Sequence, residues 1–251
     1  MNKPETRTVA AAEPALPKVF CAIDTADLQV ALGLIKIVSR SVGIKFGLEF
    51  FNAQGPQGVR TILAANPGLR YFLDLKYHDI PNTVAQAVRA VVSLQPTYIN
   101  VHASGGIAMM NAARMAAHDE ADRLNVPPPR ILGVTVLTSL SAGDLKAAGV
   151  GTDLESQVCR LTEMVLQCRL DGVVCSAHEA AMLRKRFGAA PVLMVPGIRP
   201  AGHAQGSDDQ ARIMTPREAM EAGATHIVIG RPITGAPDPA EAVREILEEL
   251  R

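Results

Sequence analysis

Charged side chains crowd the end of one apolar segment, in the stretch YFLDLKYHDIPNTV at residues 71–84. Asp74 and Lys76 lie inside the apolar run, and Asp79 comes just before a helix-like segment. Charged groups are costly to bury unless they are paired or used in chemistry. Because residues i and i+2 of a strand share a face, the side chains of Asp74 and Lys76 should project together. The pattern predicts either an acid–base cluster or a structural network of ion pairs.

Polar residues also end most of the other apolar segments. These residues are Asp24, Lys45, His102, Thr138 and Ser176. If the segments are neighbouring strands, Lys45 can reach the Asp74–Lys76 pair. An alternation of lysine and aspartate would keep each group charged through its opposite neighbours.

Two glycine–arginine segments suit a phosphate group. Arg199 lies in PGIRP at residues 196–200, and Gly230 and Arg231 open GRPIT at residues 230–234. Glycine allows the backbone to approach a ligand closely, and arginine can bind phosphate in a bidentate manner. The alternative is that both arginines lie on solvated loops.

Eight short apolar runs, rich in β-branched residues, must position these side chains. They lie at residues 18–24, 42–48, 71–76, 98–103, 130–137, 172–177, 191–196 and 226–231. Helix-like segments separate them, and this alternation is typical of a parallel sheet covered by helices. Eight such units close a (β/α)8 TIM barrel, whose active site lies at the C-terminal ends of the strands. An open doubly wound sheet is the alternative, but no G-x-G-x-x-G follows the first run.

Composition narrows the class of protein. Lys+Arg and Asp+Glu number 25 each, and Trp is absent, which argues against nucleic acid as a partner. No apolar run is long enough to span a membrane. The four cysteines lack C-x-x-C spacing, which favours reduced buried thiols and a cytoplasmic protein. We expect a loose tail at residues 1–17 and one barrel domain at residues 18–251.

Other catalytic signatures are missing from the sequence. It contains no histidine pair at metal-binding helical spacing and no G-x-S-x-G motif for a serine nucleophile. We therefore assign no metal site.

The segment DLKYHDIPNT at residues 74–83 closely resembles the signature of the orotidine 5′-phosphate decarboxylases. Further matching segments occur in the same order, so that the resemblance covers roughly residues 18–248 and is to the bacterial form. They are AID at 22–24, KFG at 45–47, TVLTS at 135–139, PGIRP at 196–200, IMTP at 213–216 and GRPIT at 230–234.

The resemblance implies a cofactor-free (β/α)8 homodimer that converts orotidine 5′-phosphate to UMP, the last step of de novo pyrimidine biosynthesis. By this resemblance Lys76 stabilises the C6 carbanion and protonates it. Asp74 lies beside the departing carboxylate, and Lys45 holds the aspartates and contacts the ribose. Asp79 comes from the partner subunit and completes the charged array.

The same resemblance implies a set of substrate-binding residues. Asp24 binds ribose hydroxyls, Thr138 lies against the nucleotide, and Gly230 and Arg231 hold the phosphate. Arg199 and Gln210 belong to a loop that closes over it. The family usually has Gly-Asp-Gln in that loop, whereas this chain has GSDDQ at residues 206–210.

Two other functions compete with this one. Magnesium-dependent sister enzymes act on sugar phosphates, but they carry an acidic metal ligand at the end of the second strand, where this chain has Lys45. A catalytically silent, nucleotide-binding barrel is the other alternative. Silent relatives normally lose a charged residue of the array, and here all four are present.

Overall fold

The computed structural model describes residues 16–200 and 214–251. Its strands form one closed parallel barrel in which each strand pairs with the next and β8 pairs with β1. The strands are β1 Val19–Ile23, β2 Gly43–Phe46, β3 Tyr71–Tyr77, β4 Tyr98–His102, β5 Arg130–Val134, β6 Gly172–Val174, β7 Val192–Pro196 and β8 His226–Ile229. The predicted (β/α)8 barrel is therefore confirmed, and the open sheet is excluded.

Each of the eight predicted runs corresponds to one strand. Several strands stop earlier than the runs do, and β3 extends one residue further, to Tyr77. The run at residues 130–137 contributes a strand only as far as Val134, and the run at 172–177 only as far as Val174. Apolar residues beyond these points stay buried without pairing, as Val136 does. An apolar run marks buried positions, whether or not they belong to a strand. The strand itself ends where the neighbouring backbone no longer offers hydrogen-bond partners.

Helices follow the strands around the barrel. Within the described residues they are α1 Leu28–Val38, α2 Leu48–Ala65, α3 Pro81–Val92, α4 Gly106–Leu124, α5 Ala142–Ala147, α6 Leu154–Gln167, α7 Ala177–Phe187, α8 Pro216–Glu221, α9 Arg231–Thr234 and α10 Pro239–Glu249. Side-chain caps set several of their starts. Thr215 and Glu218 form a reciprocal capping box at α8, and Asp238 accepts two backbone N–H groups at α10.

The core has two layers. A larger cluster lies between the barrel and the helices, and a smaller one fills the inside of the barrel. The smaller cluster comprises Phe20, Ala22, Phe72, Tyr98, Leu132, Val134, Val174, Met194 and Val228. Inward residues therefore alternate along each strand, as the pleat requires.

This alternation carries polar residues to one end of the barrel. Ala22 on β1 is in register with Lys45 on β2, which is in register with Phe72 on β3. Asp24 and Asp74 follow Ala22 and Phe72 by two residues, so they share the inward face. The register thus brings Asp24, Lys45 and Asp74 together at the C-terminal end.

A buried polar network lies at the opposite end, around β8. The Nδ1 atom of His226 is 2.8 Å from the carbonyl oxygen of Pro17, and its Nε2 atom is 2.9 Å from the Tyr98 hydroxyl. Burial lowers the pKa of His226 and outweighs the hydrogen bond to Pro17, which acts the other way. The imidazole is therefore neutral at neutral pH, with its Nδ1–H donating to the carbonyl.

The cysteines match the sequence-based expectation. Cys21, Cys159, Cys168 and Cys175 are all buried, and none forms a disulfide. Burial raises the pKa of the Cys21 thiol to about 12, so this thiol is unreactive at neutral pH. In the part of the chain that the structure describes, no helix is long and apolar enough to span a membrane.

Candidate active site

A cavity of about 310 Å³ opens at the C-terminal ends of the barrel strands. That size lies at the lower end of the ~300–1,000 Å³ typical of small-molecule sites. Charged side chains line one part of it and apolar side chains line the floor. Of the predicted site residues, it is lined by Asp24, Lys45, Asp74, Lys76, Thr138, Arg199, Gly230 and Arg231.

Four of the lining residues form a chain of alternating charge. The Nζ atom of Lys45 lies 3.3 Å from Oδ1 of Asp24 and 3.4 Å from Oδ2 of Asp74. The Nζ atom of Lys76 lies 2.7 Å from the other oxygen of Asp74. Lys45 thus bridges two aspartates, and Asp74 bridges two lysines. The predicted meeting of Lys45, Asp74 and Lys76 occurs.

Asp74 is ionised despite its burial. Only 8% of this residue is exposed, and burial by itself would raise the pKa of its carboxyl group. The charges of Lys45 and Lys76 and hydrogen bonds from Lys76 and Asn100 outweigh burial, so the pKa of Asp74 lies below its usual value. The site therefore holds a buried carboxylate beside an ammonium group.

The backbone at Lys76 departs from regular strand geometry. Its φ angle is 49°, and the β3–β4 register shifts between Leu73 and Tyr77. A positive φ is uncommon for a residue with a side chain, and such backbone costs about 1–3 kcal/mol unless its surroundings impose it. Simple alternation along β3 therefore does not describe how Lys76 reaches Asp74.

Proteins of one family match this chain over nearly its whole length. The profile of the orotidine 5′-phosphate decarboxylase / HUMPS family matches residues 17–246. The chain belongs to this family. Its relatives include the orotidine 5′-phosphate decarboxylase of Rhodospirillum rubrum, 51% identical over 92% of this chain and 93% of that protein. The same enzyme of Moorella thermoacetica is 47% identical over 93% of this chain and 92% of its own length.

Solved structures share the barrel. The orotidine 5′-phosphate decarboxylase of Lactobacillus acidophilus superposes with a TM-score of 0.81 at 32% identity, over 94% of this chain and all of that one. An uncharacterized conserved protein of Geobacillus kaustophilus gives a TM-score of 0.80 at 31% identity, over 93% of this chain and all of that one. The resemblance inferred from the DLKYHDIPNT segment is thereby confirmed.

The predicted phosphate-binding residues share the cavity with the charged array. Arg199 follows β7, and Gly230 with Arg231 follows β8, so these loops are neighbours at the rim. Thr138 reaches the rim from the loop after β5. Gln210 lies outside the described residues, as do residues 1–15 of the expected tail.

Asp79 does not join the array of its own chain. It is exposed, its Oδ1 accepts the Ile80 backbone N–H at 2.7 Å, and it is not among the residues lining the cavity. The role of Asp79 in a partner's site therefore stays a prediction.

Asn100 is a site residue that the sequence analysis missed. It is fully buried on β4 and hydrogen-bonds to both Asp74 and the backbone of Lys76. A signal was present, because Asn100 is polar within an apolar run and lies two residues from both Tyr98 and His102. Asn100 lies in the middle of β4, whereas the expected site residues lie at strand ends.

His102 and His78 lie beside the array. Their rings are 5.2 Å apart, and burial lowers the pKa of His102, with smaller contributions from His78 and Lys76. Among the residues the structure describes, no group of three or more histidine, cysteine or carboxylate side chains could hold a metal ion.

Proposed function

We propose that this protein decarboxylates orotidine 5′-phosphate to UMP, the last step of de novo pyrimidine synthesis. The observation that carries the proposal is the contact of Lys76 and Lys45 with the two oxygens of the buried Asp74. This array shares one cavity with Arg199 and Arg231. A cationic proton donor at one end and phosphate-binding side chains at the other suit this substrate.

The chemical step needs only groups of this kind. The bond between C6 and the carboxylate breaks, the electron pair stays on C6, and carbon dioxide leaves. The Lys76 ammonium stabilises that negative charge and transfers a proton to C6, becoming an amine that solvent reprotonates. Asp74 directs the Lys76 ammonium group before the reaction through their 2.7 Å ion pair.

The remaining residues bind and orient the nucleotide. Lys45 and Asp24 contact the ribose, Thr138 lies against the nucleotide, and Gly230 with Arg231 holds the phosphate. Arg199 and Gln210 also bind the phosphate. Binding energy from the phosphate can then offset the cost of orienting and desolvating the reacting carbon.

A second copy of the chain completes the proposed site. Asp79 is exposed beside Ile80, of which 66% is exposed. Ile107 and Leu140 are also exposed, and they come from the regions after β4 and β5. Exposed apolar side chains that follow three consecutive strands suit a dimer interface. We propose a cytoplasmic homodimer in which Asp79 enters the partner's array.

The test is the loss of orotidine 5′-phosphate absorbance with the purified chain in excess EDTA. Rapid formation of UMP supports the substrate, the reaction and its independence of metal. Turnover of sugar phosphates that needs added Mg²⁺ would instead favour a sister enzyme. Binding of UMP without turnover of any substrate would favour a silent barrel.

A further inference from the structure

The Asn100 side chain occupies the inside of the barrel just below the charged array. It is 0% exposed on β4, two residues after Tyr98, which faces the barrel interior. A buried amide without partners is destabilising, so its contacts indicate its role. Both ends of this amide are used.

The two contacts of Asn100 join the main chain of one catalytic residue to the side chain of another. Its Oδ1 atom accepts the backbone N–H of Lys76 at 2.7 Å, and its Nδ2 atom donates to Oδ1 of Asp74 at 2.7 Å. Only this orientation of the amide works, because the backbone N–H can only donate and the ionised carboxylate can only accept.

The first contact falls where the backbone is strained. Lys76 has a φ of 49° within the register shift between β3 and β4, so the regular ladder does not hold this N–H group. The side-chain carbonyl of Asn100 takes the place of the backbone acceptor that a neighbouring strand would offer. It therefore supports the conformation from which the Lys76 side chain reaches Asp74.

We propose that Asn100 is a positioning residue that holds Lys76 and Asp74 in their reactive arrangement by bridging the backbone of one and the carboxylate of the other. Its effect on the reaction rests on the proposed function. Asn100 acts through Lys76 and Asp74 and is not itself among the residues lining the cavity.

The first test compares Asn100→Leu, which has a similar shape, with Thr162→Val. Thr162 is equally buried and donates a 2.8 Å hydrogen bond to Val158 on α6, away from the site. Displacement of a catalytic group by about 1 Å costs roughly 10²-fold in rate. We expect that loss of kcat in Asn100→Leu, with KM within about threefold of wild type.

The control Thr162→Val should lose stability and keep its kcat. Thermal unfolding of both variants separates the two effects. If Asn100→Leu is folded and destabilised but keeps the wild-type kcat, Asn100 contributes to stability alone.

The second test uses Asn100→Asp, which keeps size and polarity and guards against failure of the leucine variant to fold. A carboxylate there would face Asp74 at hydrogen-bond distance, and such a pair shares one proton. The groups around this pair are Lys76 on β3, Lys45 on β2, and His102 with His78 beside them. The shared proton restores the donor that Asn100 provided.

We therefore expect Asn100→Asp to approach wild type at low pH and to lose kcat as the pH rises. The ratio of its kcat to that of wild type should fall by about tenfold per pH unit above the apparent pKa of the pair. A ratio that does not change with pH would contradict the bridge to Asp74.

A third readout does not depend on turnover. The pKa of Asp74 can be followed by carbon-13 NMR of the aspartate carboxyl groups, with Asp74→Asn for assignment. It should rise in Asn100→Leu and stay unchanged in Thr162→Val. If wild type does not turn over orotidine 5′-phosphate, the proposed function fails. The NMR measurement still tests whether Asn100 donates a hydrogen bond to Asp74. An unchanged pKa in Asn100→Leu would overturn it.

Discussion

The ammonium group of Lys76 donates a 2.7 Å hydrogen bond to Oδ1 of Asp74 from a backbone with φ of 49°. The two residues thus meet through a local distortion of β3 and a bridge from Asn100. Strained backbone persists only where its surroundings impose it, and such backbone clusters at active sites. The distortion at Lys76 therefore supports a functional role for this ion pair.

Replacing Lys76 with alanine should abolish decarboxylation and leave UMP binding measurable. In the proposed mechanism the carbanion then lacks its adjacent counter-charge and its proton donor, so kcat should fall by at least about 10³-fold. The matched control is Lys36→Ala, which removes an exposed lysine on α1. Turnover of Lys76→Ala within tenfold of wild type would remove this residue from the mechanism.

Replacing Gly47 with alanine should disturb the ion pair between Lys45 and Asp24. A Cβ atom there would lie 3.0 Å from the Lys45 Nζ atom and 3.1 Å from Oδ1 of Asp24, so both side chains must move. We expect kcat/KM to fall by about tenfold or more. The control is Gly33→Ala in α1, where the new Cβ meets nothing within 4 Å. Equal activity of the two variants would contradict this expectation.

Replacing Arg231 with alanine should mainly weaken binding of phosphorylated ligands. Loss of a hydrogen bond to a charged group costs about 1.5–3 kcal/mol, so KM should rise by roughly 10- to 100-fold. Binding of unphosphorylated uridine should not change. Arg40→Ala, an exposed residue after α1, serves as the control. An unchanged KM in Arg231→Ala would place the phosphate elsewhere.

Mixing two inactive variants tests whether Asp79 acts across a dimer. In a heterodimer of Asp79→Ala and Lys76→Ala, one of the two sites contains both native residues. Random mixing should therefore recover about one quarter of wild-type activity. Each variant refolded alone provides the baseline. If no activity returns in a confirmed heterodimer, Asp79 does not serve its partner's site.

The buried His226 should make stability depend on pH. Its pKa is lowered in the folded state, so its contribution to stability is complete above the ordinary value of 6.5. Below that value the unfolded chain takes up a proton more readily than the folded one. Stability should then fall with decreasing pH, by at most about 1.4 kcal/mol per pH unit for this residue.

Urea unfolding across that pH range measures the effect of His226. The variant His226→Gln should show a shallower slope than wild type. His118→Gln, an exposed residue on α4, should keep the wild-type slope. Identical slopes for wild type and His226→Gln would show that this histidine is not the group responsible.

The sequence alone determined the eight strands and the meeting of Lys45 with Asp74. These features follow from local rules, because apolar runs and the two-residue strand period are readable along the chain. The family signature at residues 74–83 added the reaction as an expectation.

Only the tertiary structure decided how the array is held. The bridge from Asn100 joins β4 to β3, and the positive φ of Lys76 arises where the register between these strands shifts. Both depend on how neighbouring strands are aligned, and strand alignment is a non-local property that no short stretch of sequence records. Asp79 likewise needed the fold to show that it does not line the cavity of its own chain.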